Sequence, residues 1–311
     1  MSQRVVSHED PGALRRAAEI LGNGGVVALP TETVYGLGAS IDSPRGVSRI
    51  FEVKGRPTNH PLIVHGASHG VLDDVAHDVS DMTRVVATHT WPGPLSMLVH
   101  RKERVPANVT GGRDTVVVRV PAHSFFRELV ALLGCPIAAP SANRFGRVSP
   151  TTAQHVADDL GDDVDLIVDG GDSVVGVEST ILDMTTDPPQ VLRHGGIPIE
   201  DIESLLGCVI AESSGQVRAP GMLESHYAPR CRIRTVETEA EAREVLSGLD
   251  PESGGILPTP TDVPMYAAQL YGLLRACDER GWREAVVVLP PASGLGRAIR
   301  DRLERASFSS T

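Results

Sequence analysis

The chain has 311 residues, a formal net charge of −11 and 41% apolar residues. A domain usually has roughly 100 to 200 residues, so this length predicts about two domains with ample material for a core. The negative charge argues against broad electrostatic binding to nucleic acid or to an anionic membrane, because both need a basic surface.

The composition also predicts a protein of the reducing cytoplasm. The four cysteines are widely scattered and form no C-x-x-C pair, which argues against a zinc knuckle and against a disulfide framework. The first ten residues contain no apolar signal segment, and no later run approaches the roughly 18 apolar residues of a membrane span.

The first two thirds of the chain alternate short apolar runs with stretches of helical spacing. The apolar runs predict strands at 26–29, 62–64, 95–99, 116–120, 137–139, 166–168 and 181–182. The helical stretches are 11–21, 44–53, 80–89, 124–133 and 151–160, with Ser124 and Thr151 at expected N-caps. Strands that alternate with helices predict an α/β fold with a mixed sheet and with its binding groups on the loops.

The apolar periodicity fades between residues 207 and 230, where the composition predicts a linker. A second, smaller unit follows, with predicted strands at 232–236, 255–257 and 285–289 and helices at 239–246, 264–280 and 294–306. This order predicts a small C-terminal α/β domain.

Two cationic side chains lie close together in a turn-rich loop after the second predicted helix. Lys54 is one of only two lysines in the chain, and Gly55 separates it from Arg56. An isolated Lys-x-Arg group is most often a solvated pair. Here, however, Ser141, Asn143 and Ser149 lie near other strand and helix ends, and their polar groups suit phosphate oxygens. Ser149 also fits a simple cap or turn.

A second group of polar residues lies near predicted strand ends and suits an amino acid ligand. Thr33, His65 and Ser179 offer hydroxyls and an imidazole, and Arg119 can bind a carboxylate through two hydrogen bonds. Each of these residues alone also fits a structural role. Arg193 enters a Gly-rich turn, where the backbone can approach a nucleotide closely. The sequence contains no Walker A loop and no G-x-G-x-x-G, H-E-x-x-H or G-x-S-x-G motif.

These residues together resemble the Sua5/YrdC/YwlC family of L-threonylcarbamoyladenylate synthases. The matching segments occur in family order, and they are 30–38, Lys54-x-Arg56-Pro57, 61–65, 119–121, 140–143, 149–151, 178–181 and 191–195. The stretches 219–222, 226–229 and 294–306 are similar to the longer Sua5 type. The resemblance thus extends over nearly the whole chain.

The resemblance implies a YrdC-like open twisted mixed sheet with flanking helices, followed by a small Rossmann-like Sua5 domain. It places the catalytic domain at 1–207, a linker that acts as a lid at 208–230, and the Sua5 domain at 231–311. The implied activity joins L-threonine, bicarbonate or CO2 and ATP into threonylcarbamoyl-AMP and pyrophosphate, for the t6A37 modification of tRNA. The implied partners are these substrates and a downstream tRNA threonylcarbamoyltransferase complex, with no membrane and no strong nucleic-acid binding.

The same resemblance implies roles for individual residues. The catalytic set is Lys54, Arg56, Ser141 and Asn143, and the threonine contacts are Thr33, His65, Arg119 and Ser179. The ATP contacts are Lys54, Arg56, His60, Thr115, Ser141, Ser149, Arg193 and Tyr227. His60 stands where the family commonly has Asn. No side chain is assigned to a metal, and Mg2+ is expected to bind through the ATP phosphates.

Two alternatives use the same fold. One is a carbamoyl-adenylate-forming or carbamoyl-transfer enzyme, although its relatives carry cysteine-rich zinc modules that four scattered cysteines do not match. The other is an RNA-binding module, which the acidic excess in both parts of the chain disfavours.

Overall fold

The computed structural model describes residues 4–213, 227–248, 250, 252–260 and 262–308. Within these residues the strands form two sheets, one of eleven strands and one of three. The large sheet contains β1 (Val5–Ser7), β2 (Val27–Leu29), β3 (Gly36–Ser40), β4 (Ile63–His65), β5 (Leu95–His100), β6 (Thr115–Arg119), β7 (Ile137–Ala138), β8 (Leu166–Asp169), β9 (Thr180–Asp183), β10 (Gln190–Arg193) and β11 (Ala211–Glu212).

The large sheet is mixed and open. Its strand order is β1-β8-β2-β3-β7-β4-β6-β5-β9-β10-β11, so β1 and β11 form its two edges. Strand β4 is parallel to β6 and antiparallel to β7, whereas β5 is antiparallel to β6 and parallel to β9. This arrangement confirms the predicted mixed α/β fold.

Helices cover both faces of the large sheet. They are α1 (Ala13–Gly22), α2 (Pro44–Lys54), α3 (Val71–Val75), α4 (Asp81–Thr90), α5 (Ala107–Thr110), α6 (Ser124–Leu133), α7 (Ala153–Leu160) and α8 (Ile199–Leu206). Val27 and Leu29 of β2 pack in the core that contains α1 and α6, whereas Ala28 packs in the core that contains α2, α4 and α7. Successive side chains of a strand point to opposite faces, so these two cores lie on opposite sides of the sheet.

The C-terminal part forms a three-layered unit around a parallel sheet. Its strands β12 (Arg232–Val236), β13 (Gly254–Ile256) and β14 (Glu284–Val288) lie in the order β12-β14-β13. Its helices are α9 (Glu239–Ser247), α10 (Val263–Glu279) and α11 (Leu295–Ser307). The core of this unit also contains Val34, Val148 and Val177 of the first part. The two parts of the chain therefore share one apolar cluster.

The predicted strands and helices of both parts are present, with bounds that differ by at most two residues. Both predicted N-caps are wrong by one position. Ser124 is the first residue of α6, and Thr152 rather than Thr151 caps α7 by accepting a hydrogen bond from His155 N at 3.1 Å. The predicted linker begins with a strand, since Ala211 pairs with Gln190. Its residues 214–226 lie outside the described residues, and so does most of the proposed lid.

Candidate active site

A cleft of about 590 Å³, open solvent included, lies against β4, the ends of β6 and β10, the segments that follow β2 and β7, and the residues just before β9. It brings together residues from both predicted groups. The predicted site residues in its wall are Thr33, Arg56, His65, Arg119, Ser141, Ser179, Arg193 and Tyr227. Segments far apart in the sequence therefore converge on one place, as an active site requires.

Arg119 is held in the cleft wall by hydrogen bonds and by a buried ion pair. Its Nη1 donates to Thr33 Oγ1 at 2.9 Å, and its Nε donates to the Gly93 carbonyl oxygen at 3.2 Å. Its Nη2 lies 2.8 Å from Glu32 Oε1. These two atoms are at ion-pair distance but are not aligned for a hydrogen bond. The Nη2 group can therefore still donate a hydrogen bond to an incoming carboxylate.

His65 ends β4 beside this arginine and is almost fully buried. Burial, together with the nearby charge of Arg119, lowers the pKa of His65 to about 3. The imidazole is therefore neutral at pH 7. Its ring packs on Phe126 with the ring centres 5.2 Å apart, and its Nδ1 has no hydrogen-bond partner among the described residues.

Arg193 and Ser179 form another part of the cleft wall. The Arg193 guanidinium donates from Nε and Nη2 to the Ser179 carbonyl oxygen, at 3.1 and 2.9 Å. Its Nη2 also lies 3.1 Å from Ser179 Oγ, which in turn lies 2.8 Å from Ser96 Oγ. Burial lowers the pKa of Arg193, but a guanidinium stays protonated near neutral pH. The hydroxyl of Ser179 is thus fixed at the edge of a cationic wall.

The end of α2 separates the two cationic side chains of the Lys-Gly-Arg loop. Gly55 has a φ of +63°, a backbone conformation that L side chains rarely adopt, and it ends the helix. Lys54 is buried and donates from Nζ to the backbone carbonyl oxygens of Ser141, at 2.6 Å, and of Asn143. Burial, followed by the charge of Arg56, lowers the pKa of Lys54 well below its ordinary value. Lys54 thus holds the 141–143 segment from behind the cleft wall.

Arg56 lines the cleft itself. Its Nη2 donates to the Pro61 carbonyl oxygen at 2.9 Å, and its guanidinium lies 5.8 Å from the ring centre of Phe145. Burial lowers its pKa to about 10, so it remains a cation at pH 7. Its Nε is buried and has no hydrogen-bond partner within the described part of the chain. A buried donor of this kind suits an anionic ligand, because an unpaired polar group is costly to bury.

Tyr227 closes the cleft where the two parts of the chain meet. It is almost fully buried, and its ring stacks on Tyr271 with the centres 5.8 Å apart. Its φ of +65° is rare for a residue with a side chain. The next residue, Ala228, donates from its backbone N to the Gly146 carbonyl oxygen at 3.0 Å. The aromatic ring is therefore held in the cleft wall.

Five predicted site residues do not line the cleft: Lys54, His60, Thr115, Asn143 and Ser149. His60 lies near the loop of Arg56, with its ring 5.5 Å from that of Phe145. Burial, followed by the charge of Arg56, lowers its pKa. Thr115 pairs with His100 across β5 and β6. Asn143 is buried and donates from Nδ2 to the carbonyl oxygens of Arg144 and Arg147.

The sequence interpretation missed two buried carboxylates, Glu32 and Glu178. Glu32 pairs with Arg119, and Glu178 pairs with Arg302 at 2.9 Å. Both stand inside matching segments, but their partners are 87 and 124 residues away in the sequence. The only available signal was their place inside those segments.

No group of three or more His, Cys, Asp or Glu side chains among the described residues could hold a metal ion. None of the helices in the described part of the chain is long and apolar enough to cross a membrane.

Comparison with known proteins agrees with this architecture. Residues 19–195 match the Sua5/YciO/YrdC family model, which is described as "Telomere recombination". Residues 197–307 match the model described as "Threonylcarbamoyl-AMP synthase, C-terminal domain". The chain belongs to the Sua5/YrdC family. Both the family expected from the sequence and the fold class are thereby confirmed.

Similar family members include threonylcarbamoyl-AMP synthases from Pyrococcus abyssi and Bacillus subtilis. The first is 39% identical, with 94% of each chain covered, and the second is 37% identical, with 97% of this chain and 94% of the relative covered. A crystal structure of P. abyssi Sua5 complexed with L-threonine superimposes with a TM-score of 0.90 at 38% identity, over 95% of this chain and 94% of the other.

Proposed function

We propose that this protein is a threonylcarbamoyl-AMP synthase that combines L-threonine, bicarbonate or CO2 and ATP. The observation that carries the proposal is the cleft whose wall combines Thr33, His65 and Arg119 with Arg56, Arg193 and Tyr227. The first three side chains offer donors for an amino acid, and the other three offer cations and an aromatic ring for a nucleotide. The names of the relatives support the same activity.

Threonine binding is assigned to Thr33, His65, Arg119 and Ser179. Arg119 binds the carboxylate through its guanidinium, and the hydroxyl of Thr33 fixes the orientation of that guanidinium. The neutral imidazole of His65 adds a hydrogen-bonding group without adding a charge. One methyl group separates threonine from serine and is worth only about 1 to 3 kcal/mol, so we expect moderate discrimination between the two.

Nucleotide binding is assigned to Arg56, Ser141, Arg193 and Tyr227. The two guanidiniums neutralise phosphate charge, and this charge spreads further as the α-phosphorus is attacked. Lys54 supports this part of the wall from behind, because its ammonium group fixes the backbone on both sides of Ala142. The assignments of His60, Thr115, Asn143 and Ser149 to the reaction stay predictions, and so does the lid function of residues 208–230.

In the proposed reaction these side chains mainly hold the two substrates in the right position. The threonine nitrogen forms a C–N bond to CO2 and loses a proton, which gives a carbamate. A carbamate oxygen then forms a bond to the α-phosphorus of ATP, while the bond between the α-phosphorus and the bridging oxygen of pyrophosphate breaks. In-line attack requires the two substrates to be held in contact, and a shared cleft provides this.

Mg2+ fits this site as part of the substrate. Glu32 and Glu178, two carboxylates that contact predicted site residues, are both paired with arginines, which leaves them poorly suited to hold a metal. ATP therefore brings Mg2+ on its phosphate oxygens, where the ion adds to the charge neutralisation by Arg56 and Arg193. We further infer that a tRNA-modifying transferase complex consumes the product. We also infer that the enzyme works in the cytoplasm, where that complex modifies tRNA.

The test is pyrophosphate release with ATP, Mg2+, bicarbonate and one amino acid at a time. Threonine should give the highest kcat/KM, with serine about 10 to 200 times lower. Release that is the same without any amino acid, or no release at all, would contradict the proposed function.

A further inference from the structure

Arg302 connects the C-terminal part of the chain to the wall of the cleft. It lies on α11, and its side chain is 0% exposed. Its Nε donates to Glu178 Oε2 at 2.9 Å. Glu178 itself lines the cleft and directly precedes Ser179. An ion pair thus links the last described helix to the residues that contact the substrates in the proposed reaction.

Both oxygens of Glu178 are engaged. Oε1 accepts a hydrogen bond from Ser149 Oγ at 2.7 Å, and Oε2 accepts one from the Tyr271 hydroxyl at 2.7 Å in addition to that from Arg302. The Arg302 guanidinium also lies 5.2 Å from the ring centre of Tyr227. Because Tyr271 and Arg302 both belong to the C-terminal part, the charge of Glu178 is balanced from across the boundary between the two parts.

The backbone around Glu178 leaves little room for movement. A Cβ at Gly176 would lie 2.4 Å from the carbonyl oxygen of Ala267 and 2.4 Å from the Cα of Ala268, so this segment packs directly on the backbone of α10. The next residue, Val177, is fully buried in the apolar cluster shared by the two parts. Helices α10 and α11 therefore fix the position of the segment 176–179.

The negative charge of Glu178 opposes the binding of an anion in the cleft. Burial by itself raises the pKa of Glu178, but Arg302, Arg193 and the hydrogen bonds from Ser149 and Tyr271 hold it at about 2. The carboxylate is therefore ionised at pH 7. An unpaired carboxylate in the cleft would repel phosphate groups strongly, since charges interact more strongly in a poorly solvated site.

We propose that Arg302 is a positioning residue of the cleft, which neutralises and fixes Glu178 so that Arg193 can receive the anionic phosphates of a nucleotide bound beside Tyr227. This inference rests on the proposed function for the placement of the nucleotide at this wall. It gives the C-terminal part a direct effect on nucleotide binding, in addition to its packing role.

The first test compares two arginines of the same helix. Arg302→Met should raise the KM for ATP at least tenfold and change the KM for threonine less than threefold. The matched control is Arg300→Met, because Arg300 pairs with Glu237 and with the Pro290 carbonyl oxygen inside the C-terminal part. It should change the KM for ATP less than twofold. Equal effects of the two variants would overturn the proposal, because loss of C-terminal stability would then explain both.

The second test removes both charges together, which also guards against misfolding caused by an unpaired buried carboxylate. The variant Glu178→Gln/Arg302→Met should have a KM for ATP within threefold of that of Glu178→Gln alone. If Arg302→Met raises the KM at least tenfold in both backgrounds, neutralisation of Glu178 is not the role of Arg302.

Calorimetric titration of ATP in the absence of threonine separates this inference from the proposed function. If the unaltered protein binds ATP but releases no threonine-dependent pyrophosphate, the proposed function fails. The inference is then judged by the Kd for ATP, which should weaken at least tenfold in Arg302→Met and less than twofold in Arg300→Met. A Kd that is equal in the two variants would overturn the inference alone.

Discussion

Replacing Arg119 by Met should have two effects that can be separated, one on folding and one on threonine binding. The guanidinium is buried and paired with Glu32 at 2.8 Å. Its removal leaves a buried carboxylate without its partner, which costs about 3 to 5 kcal/mol of folding stability. The double variant Glu32→Gln/Arg119→Met removes both charges. Its Gln can still accept the hydrogen bond that the Ala122 N–H donates to Glu32 Oε2 at 3.0 Å. Most of the lost stability should therefore return.

Threonine binding should not return in the double variant. A hydrogen bond to a charged group contributes about 1.5 to 3 kcal/mol, so losing the guanidinium should raise the KM for threonine on the order of 10- to 100-fold. The assay combines urea unfolding with pyrophosphate release at varied threonine and saturating ATP. A stable double variant with a threonine KM within twofold of the original value would refute the assignment of Arg119 to the substrate carboxylate.

Three further predictions test other parts of the site. A Cβ at Gly195 would lie 2.3 to 2.4 Å from backbone atoms of residues 178–180. Gly195→Ala should therefore displace Ser179 and lower kcat/KM about 100-fold. The control Gly272→Ala, whose added Cβ would meet open space, should leave kcat/KM unchanged. Lys54→Met should lower kcat at least tenfold and Lys102→Met should not, and equal kinetics would exclude a special role for Lys54. Burial holds the pKa of His65 at about 3, below the ordinary 6.5, so its contribution to stability is complete above pH 6.5 and is lost towards pH 3, about 5 kcal/mol in total. His65→Gln should therefore reduce the slope of unfolding free energy against pH by about 1.0 to 1.3 kcal/mol per pH unit between pH 6 and 4.5, and an unchanged slope would contradict the burial of a neutral His65.

The sequence predicted most of the regular elements because their signals are local. Val27–Leu29 is an apolar run between glycine and proline, and in α2 Pro44 and Gly55 mark the two ends. Strands β1, β3, β10 and β11 and helices α3, α5 and α8 escaped prediction. In β3, Gly36 and Gly38 carry little strand propensity, and β11 has only two residues, so tertiary contacts pair both strands.

The sequence could suggest site residues where the residue type and its motif alone indicate a ligand contact. Thr33, Arg56 and Arg193, to which the resemblance assigned ligand contacts, line one cleft, and their roles stay predictions. The role of Lys54 was less predictable, because its ammonium group turns to the carbonyl oxygens of a segment 87 residues away. The pairing of Glu178 with Arg302 could not be predicted either, because it depends on how the two parts of the chain pack against each other.

The most direct test of the central claim is the mass of the product formed with 13C-labelled bicarbonate, L-threonine and MgATP. The account predicts an adenylate that contains threonine and one labelled carbon, released together with pyrophosphate. A product that contains AMP and threonine but no label, or label without threonine, would contradict the account.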